Sequence, residues 1–283
     1  MFIDTKHARD IRRRLARDTS FPIGEAGWPD IQISLPAALD LTFLKRQLRR
    51  DETRGAQLSR FLERLGLLEI QKAVESGVPF RSEAPFAHCS LEAFAIRRLA
   101  DVQSDEWVLF RARFAESAAA GKKGSVFAGI SGVLAEMGDN VAWHAPKIRD
   151  SGCFGIAAYH VNERTACFSV ADDGRGFLAS LKSNPKWQKL QTERGALEAV
   201  LFEHATSRAD ENEGAGFKVL YNKLLSVNGS VLIRSGSCTA RIASTFEAHK
   251  VVFREGEATP GAQITVIVAK KGEPIELPLK ETS

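Results

Sequence analysis

Cys167-Phe-Ser-Val-Ala-Asp-Asp-Gly-Arg-Gly-Phe177 is the stretch on which the reading of this chain turns. It begins as a mostly apolar run of strand type and ends in Asp172-x-Gly174-x-Gly176. An aspartate at a strand end can accept a hydrogen bond from an exocyclic amine. Glycines, lacking Cβ, let backbone approach a flat ring. The same residues also fit a hairpin turn, because Asp-Gly is a strong turn signal.

Upstream, the periodicity predicts a helix from about Ser125 to Trp143, and Pro146 forbids a long continuation. On it Glu136, Asn140 and His144 are spaced i, i+4, i+8, which puts all three on one face at about 6 Å per step. Val133, Met137 and Val141 form the core-facing stripe beside them. An amide oxygen is a hard ligand for Mg²⁺, and a carboxylate one turn away can orient or deprotonate a water. A solvated helix with scattered polar residues is the alternative.

Downstream, Glu213-Gly-Ala-Gly-Phe217 sets a Gly-x-Gly at the start of a helix expected over 217–227. Free N–H groups at such a start cradle phosphate, which makes Gly214 and Gly216 candidates. The motif lacks the lysine-serine ending of a P-loop and the strand–turn–helix setting of a dinucleotide fingerprint. Strands are expected at 153–161, 165–171, 230–235, 239–246 and 263–269, with a helix at about 194–204. Residues 90–120 read as helical through Leu91, Phe94, Ala95 and Leu99, then Trp107 and Phe110. Before them come a basic arm (1–20), a short strand around Ile31–Leu35 and helices from Asp40 to about Leu68.

Among 283 residues, 44% are hydrophobic and 26% charged, which excludes a disordered or collagen-like chain. Residues 1–60 hold 12 Lys/Arg against 8 Asp/Glu, so the whole formal charge of +4 resides there. Arg12-Arg-Arg14 and Lys45-Arg46 with Arg49-Arg50 are the nucleic-acid candidates, against the plainer role of a solvated face. Four cysteines without a C-x-x-C pair fit free thiols in a reducing cytoplasm. No apolar run reaches the length of a membrane span, and no signal-peptide core is present.

The ordered set of acidic-amide helix, Asp-x-Gly-x-Gly strand end and Gly-x-Gly helix start resembles the gyrase, heat-shock chaperone, histidine kinase and mismatch-repair (GHKL) ATPase superfamily. Glu136 and Asn140 match its N-box, Asp172–Gly176 its first glycine box, and Gly214-Ala-Gly216 its second. Ala205-Thr-Ser-Arg208 is similar to the lid sequence of histidine kinases, and Pro260-Gly261 before Ile264–Val268 is similar to the closing strand. The resemblance covers about residues 120–270.

It implies an α/β class protein, an α+β two-layer sandwich of the Bergerat ATP-binding type, with a mixed, mostly antiparallel sheet and helices on one face. A flexible lid is implied at about 178–213. Asp172 would bind the adenine amine, Asn140 would coordinate Mg²⁺, Gly174 and Gly176 would line the base pocket, and Gly214 and Gly216 would approach the phosphates. Glu136 stands where gyrase-like members carry the catalytic base, and His144 where anti-sigma serine kinases carry a histidine. Gly261-Ala262 departs from the Gly-Thr common in the family.

The expected organisation is an N-terminal extension of mainly helical or α/β character (1–120), an ATP-binding domain (121–270) and a tail (271–283). The function implied is Mg-ATP binding and hydrolysis in a cytoplasmic signalling switch that meets a protein partner through the N-terminal region. An anti-sigma-type serine kinase and a non-hydrolysing ATP-binding adaptor are the alternatives. Nucleic-acid contact and a homodimer are both left open, and no membrane partner is expected.

Overall fold

The computed structural model describes residues 2–3, 32–33, 56, 80–81, 90–119, 125–144, 155–162, 165–207, 217, 220, 229–244 and 249–269. Short strands β1 (Phe2–Ile3) and β2 (Gln32–Ile33) form a parallel pair of their own. After β3 (Phe80–Arg81) come β4 (Ser90–Ile96), the short α1 (Leu99–Val102), α2 (Asp105–Ala119) and α3 (Ser125–His144). A hairpin of β5 (Gly155–Val161) and β6 (Thr165–Asp172) follows, then α4 (Gly176–Leu181), a 3₁₀ turn (Pro185–Trp187) and α5 (Glu193–Phe202). The long β7 (Gly229–Ser244) and β8 (His249–Ala269) complete the described elements.

Six strands form one sheet in the order β3-β4-β5-β6-β8-β7, and every neighbouring pair is antiparallel. The molecule is thus a mixture of helix and antiparallel sheet. Alternate residues along a strand face opposite ways. One face carries Phe94, Tyr159, Phe168, Val231 and Val266, all in the main core, which α2 and α3 share through Trp107, Phe110, Phe114 and Met137. The rings interlock: Phe94 lies 5.2 Å from Trp107, Phe110 5.1 Å from Tyr159, and Phe114 5.6 Å from Phe168. Such tilted and edge contacts add to plain area burial. The other face is built of small and hydroxyl side chains, Ala93, Ala158, Ser169, Ala171 and Thr265, and these too are buried.

Burial on both faces explains one difference from the sequence expectation. Ser90–Ile96 is a strand rather than a helix start, paired with β5 over its seven residues. A strand covered on both sides has no polar alternation, and a short apolar run of that kind cannot be told from a helix by period alone. Its one carboxylate, Glu92, is buried and held by Arg113 of α2, with Nε at 3.0 and 2.8 Å from the two oxygens and Nη2 at 2.7 Å.

Residues 178–207, expected within a flexible lid, instead form α4, the turn and α5 around a small core of Leu181, Trp187, Ala196, Ala199, Val200 and Ala205. Asn184 ties this segment together, accepting from the Lys186 N–H at 3.0 Å and donating to the Thr206 carbonyl at 3.1 Å. The strands expected at 230–235 and 239–246 are a single β7, whose pairing with β8 shifts register between Ser235 and Cys238. β8 starts well before the expected 263–269.

β4, α1 and α2 precede residue 120, the expected start of the ATP-binding unit, yet share its sheet and core. Most of residues 1–89, the basic arm and its arginines included, and the tail 271–283 lie outside the described residues. Among the described residues no helix is long and apolar enough to cross a membrane.

Candidate functional site

The site is made where β6 ends. Ala171 is still buried in the sheet, and Asp172, the last residue of β6, lines the wall of an open cavity that α3 and α4 also line. The turn is fixed by chemistry internal to it. Gly174 N–H donates to Asp172 Oδ1 at 2.8 Å, the usual way an aspartate closes a loop on the residue two further on. Gly176 follows with φ of 73°, a left-handed conformation, and its Cα hydrogen points at Ser235 Oγ and the Gly261 carbonyl. Opposite, Gly261 of β8 has φ of 72°, and a Cβ there would run into the Asp172 carbonyl. Two glycines, one at the start of α4 and one in β8, therefore allow the close approach that walls the cavity.

Ser235 Oγ locks this turn to the next layer. It accepts from the Phe177 N–H at 2.8 Å and donates to Glu193 Oε2 at 3.1 Å, joining the start of α4, β7 and the start of α5.

Glu136 and Asn140 of α3 line the cavity from the other side, one helical turn apart, with Met137 and Val141 between them and the core. Val170, Phe177, Leu181, Val200, Phe217 and Ile264 give it apolar walls, and Ser180, Thr206 and Ser207 add hydroxyls. The space is about 840 Å³ counting its open mouth. Burial pushes the Asp172 carboxyl up to about 7. Hydrogen bonds from the backbone of Gly174 and Ala262 work against that rise, and the nearby Asp173 charge adds to it.

Of the residues singled out from sequence, Glu136, Asn140, Asp172 and Gly176 meet at this one cavity. Gly174 stands behind it, orienting Asp172 rather than lining the wall. Gly214 and Gly216 lie outside the described residues, although Phe217, the next residue, lines the cavity and meets Phe177 edge-on at 5.6 Å. His144 ends α3, and its side chain lies outside the described residues. Ala262 also lines the cavity. Among the described residues no three His, Cys, Asp or Glu side chains cluster to hold a metal by themselves.

Sequence reasoning missed Arg175, which also lines the cavity. The available signal was a long cationic side chain between two glycines directly after a strand-end aspartate. It missed Ser180 as well, for which the sequence carries no signal.

No protein-family model matches the chain, and no curated protein matches its sequence.

Proposed function

We propose that the chain binds Mg-ATP in this cavity as a member of the GHKL type with a Bergerat fold, and that it hydrolyses the nucleotide as a switch or regulator of a partner. One observation carries the reading. The carboxylate at the end of β6 and the carboxylate–amide pair of α3, 32 and more residues apart in the chain, line a single cavity with apolar walls. A nucleotide needs that combination: a flat apolar slot, an acceptor for its amine, and oxygen donors near its anionic end. Asp172 is the acceptor for the amine. Its raised pKa fits a carboxyl kept dry for a ligand.

The donor set also fits a cation shared with phosphate. Asn140 would hold Mg²⁺ with its amide oxygen, and Mg²⁺ rarely asks for more than one or two protein ligands when phosphate supplies the rest. Bound there, the ion would neutralise charge on the phosphates. Glu136 would position or deprotonate the attacking water, and the apolar walls would exclude others. Phe217 at the cavity supports a role for the preceding Gly214 and Gly216 at the phosphates.

Calorimetry with Mg-ATP tests the reading. Asp172→Asn is expected to weaken binding on the order of 100-fold, the worth of one hydrogen bond to a charged acceptor in a dry site. Unchanged affinity in that variant would sink the assignment. With γ-labelled ATP, Glu136→Gln is expected to retain binding while phosphate release falls roughly 100-fold or more. Release at the wild-type rate would remove Glu136 as the base, and label on a second protein would mark a kinase instead.

A further inference from the structure

Arg175 is the one basic side chain among the described residues lining the cavity, and it sits in the same turn as Asp172. Its Nε and Nη2 are shielded from solvent, and neither finds a hydrogen-bond partner among the described residues. The molecule itself shows what that edge of a guanidinium ordinarily does. Arg113 offers Nε and Nη2 to the Glu92 carboxylate at 2.7 to 3.0 Å. A guanidinium edge taken out of water without acceptors carries a desolvation cost. Arg111 and Arg241 bear it at Nε alone, whereas Arg175 bears it at two nitrogens of a residue that lines the cavity, which points to acceptors brought from outside.

Asp172 does not supply them. Its Oδ1 is engaged by the Gly174 N–H, and the turn keeps the carboxylate and the guanidinium from closing on each other. Each is thereby left available to a ligand. The fork formed by Nε and Nη2 matches two oxygens of one phosphoryl group, and hydrogen bonds between two charged partners are about twice as strong as neutral ones.

We propose that Arg175 is a specificity-determining residue of the cavity, its Nε–Nη2 edge taking a pair of anionic phosphoryl oxygens, so that the site selects phosphorylated over unphosphorylated forms of the same ligand. The inference rests on the nucleotide reading of the cavity. It assigns Arg175 a ligand contact, separate from the amine contact of Asp172 and the cation contact of Asn140.

The test is a calorimetric series of Mg-ATP, ADP, AMP and adenosine against the full chain, its Arg175→Met variant and its Arg175→Lys variant. Arg175→Met is expected to weaken binding of the phosphorylated ligands about 10- to 100-fold while adenosine changes less than about twofold. Arg175→Lys is expected to recover only part of the loss, because an ammonium is a point charge without the fork. The melting temperature without ligand should hold or rise in Arg175→Met, since an uncompensated buried charge is removed.

Equal losses for ATP and adenosine would place Arg175 against the base and overturn the proposal. So would an unchanged ATP affinity in Arg175→Met, or melting temperatures lowered in both variants, which would mark a structural role. Wild-type protein that binds none of the four would overturn the nucleotide reading and this inference together. Wild-type binding with indifferent Arg175 variants would remove this inference alone.

Discussion

Two places among the described residues bring an acid and an arginine close together, and they are treated oppositely. On the sheet beneath α2, Glu92 and Arg113 close on each other with two-pronged geometry, and the carboxylate is almost wholly buried. At the end of β6, Asp172 and Arg175 share one turn and yet leave their polar edges unpaired with each other. Similar chemistry serves the scaffold in one place and is held open in the other. The difference lies in backbone. Glu92 projects from the middle of a paired strand toward a helix that faces it, whereas Asp172 is restrained by the Gly174 N–H two residues on. A satisfied pair contributes to the fold, while an unsatisfied one diminishes stability and is retained where a ligand completes it.

The comparison can be broken by removing one member of each pair. Glu92→Ala is expected to have the largest effect on stability, roughly 3 kcal/mol by chemical denaturation. The partial exposure of Arg113 keeps that figure at the low end for a broken buried pair. Nucleotide affinity should not change. The double variant Glu92→Met, Arg113→Met should recover most of the loss, because a well-filled apolar pair is about as good as a buried ionic one. A double variant as unstable as the single one would mean that the pair stabilises in some way beyond charge compensation.

At the other pair the lever is pH. The folded Asp172 carboxyl is raised to about 7 from an ordinary value near 3.8. The folded state therefore holds a proton that the unfolded chain releases, and the contribution of Asp172 to stability without ligand is greatest at or below about pH 4. It should fall as pH rises from about 4 to 7 and level off above that. Denaturation midpoints measured across that window should slope downward in the wild type and flatten in Asp172→Asn. Parallel slopes in the two proteins would show that Asp172 titrates as an ordinary carboxyl.

The smallest change is expected where scaffold and cavity meet. Ser235→Ala removes one acceptor for the Phe177 N–H and one donor to Glu193, at a cost of about 1 kcal/mol. Hydrogen exchange at the Phe177 amide should quicken as well. An unchanged exchange rate would show that the turn holds without its serine.

The sequence was most legible where one signal acted alone. The apolar run before Asp172 reads as β6, and the 3.6-residue stripe of Val133, Met137 and Val141 reads as α3. Because both elements were placed, Glu136, Asn140 and Asp172 could be chosen before their common cavity was known. Legibility failed where two influences mixed. Glu92–Ile96 is buried on both faces and loses its period. Residues 249–255 are strand although Arg254 and Glu255 are exposed, because backbone pairing with β7 is indifferent to which polar side chains face outward. Arg175 went unread for another reason: its place between two glycines is visible in the sequence, but its lack of a partner is a property of three-dimensional surroundings.

The strand order has a consequence for how the molecule is made. β6 lies between β5, its neighbour in sequence, and β8, whose Thr265 meets Ser169 across 96 residues of chain. The hairpin of β5 and β6 can close early from local contacts, but the edge of β6 that awaits β8 stays bare until the last strand arrives. That edge also carries the backbone leading to Asp172, and its completion brings Gly261 against the same residue. The sheet and the cavity therefore depend on one strand pairing, and a chain lacking β8 would hold an open strand edge where the cavity wall should be.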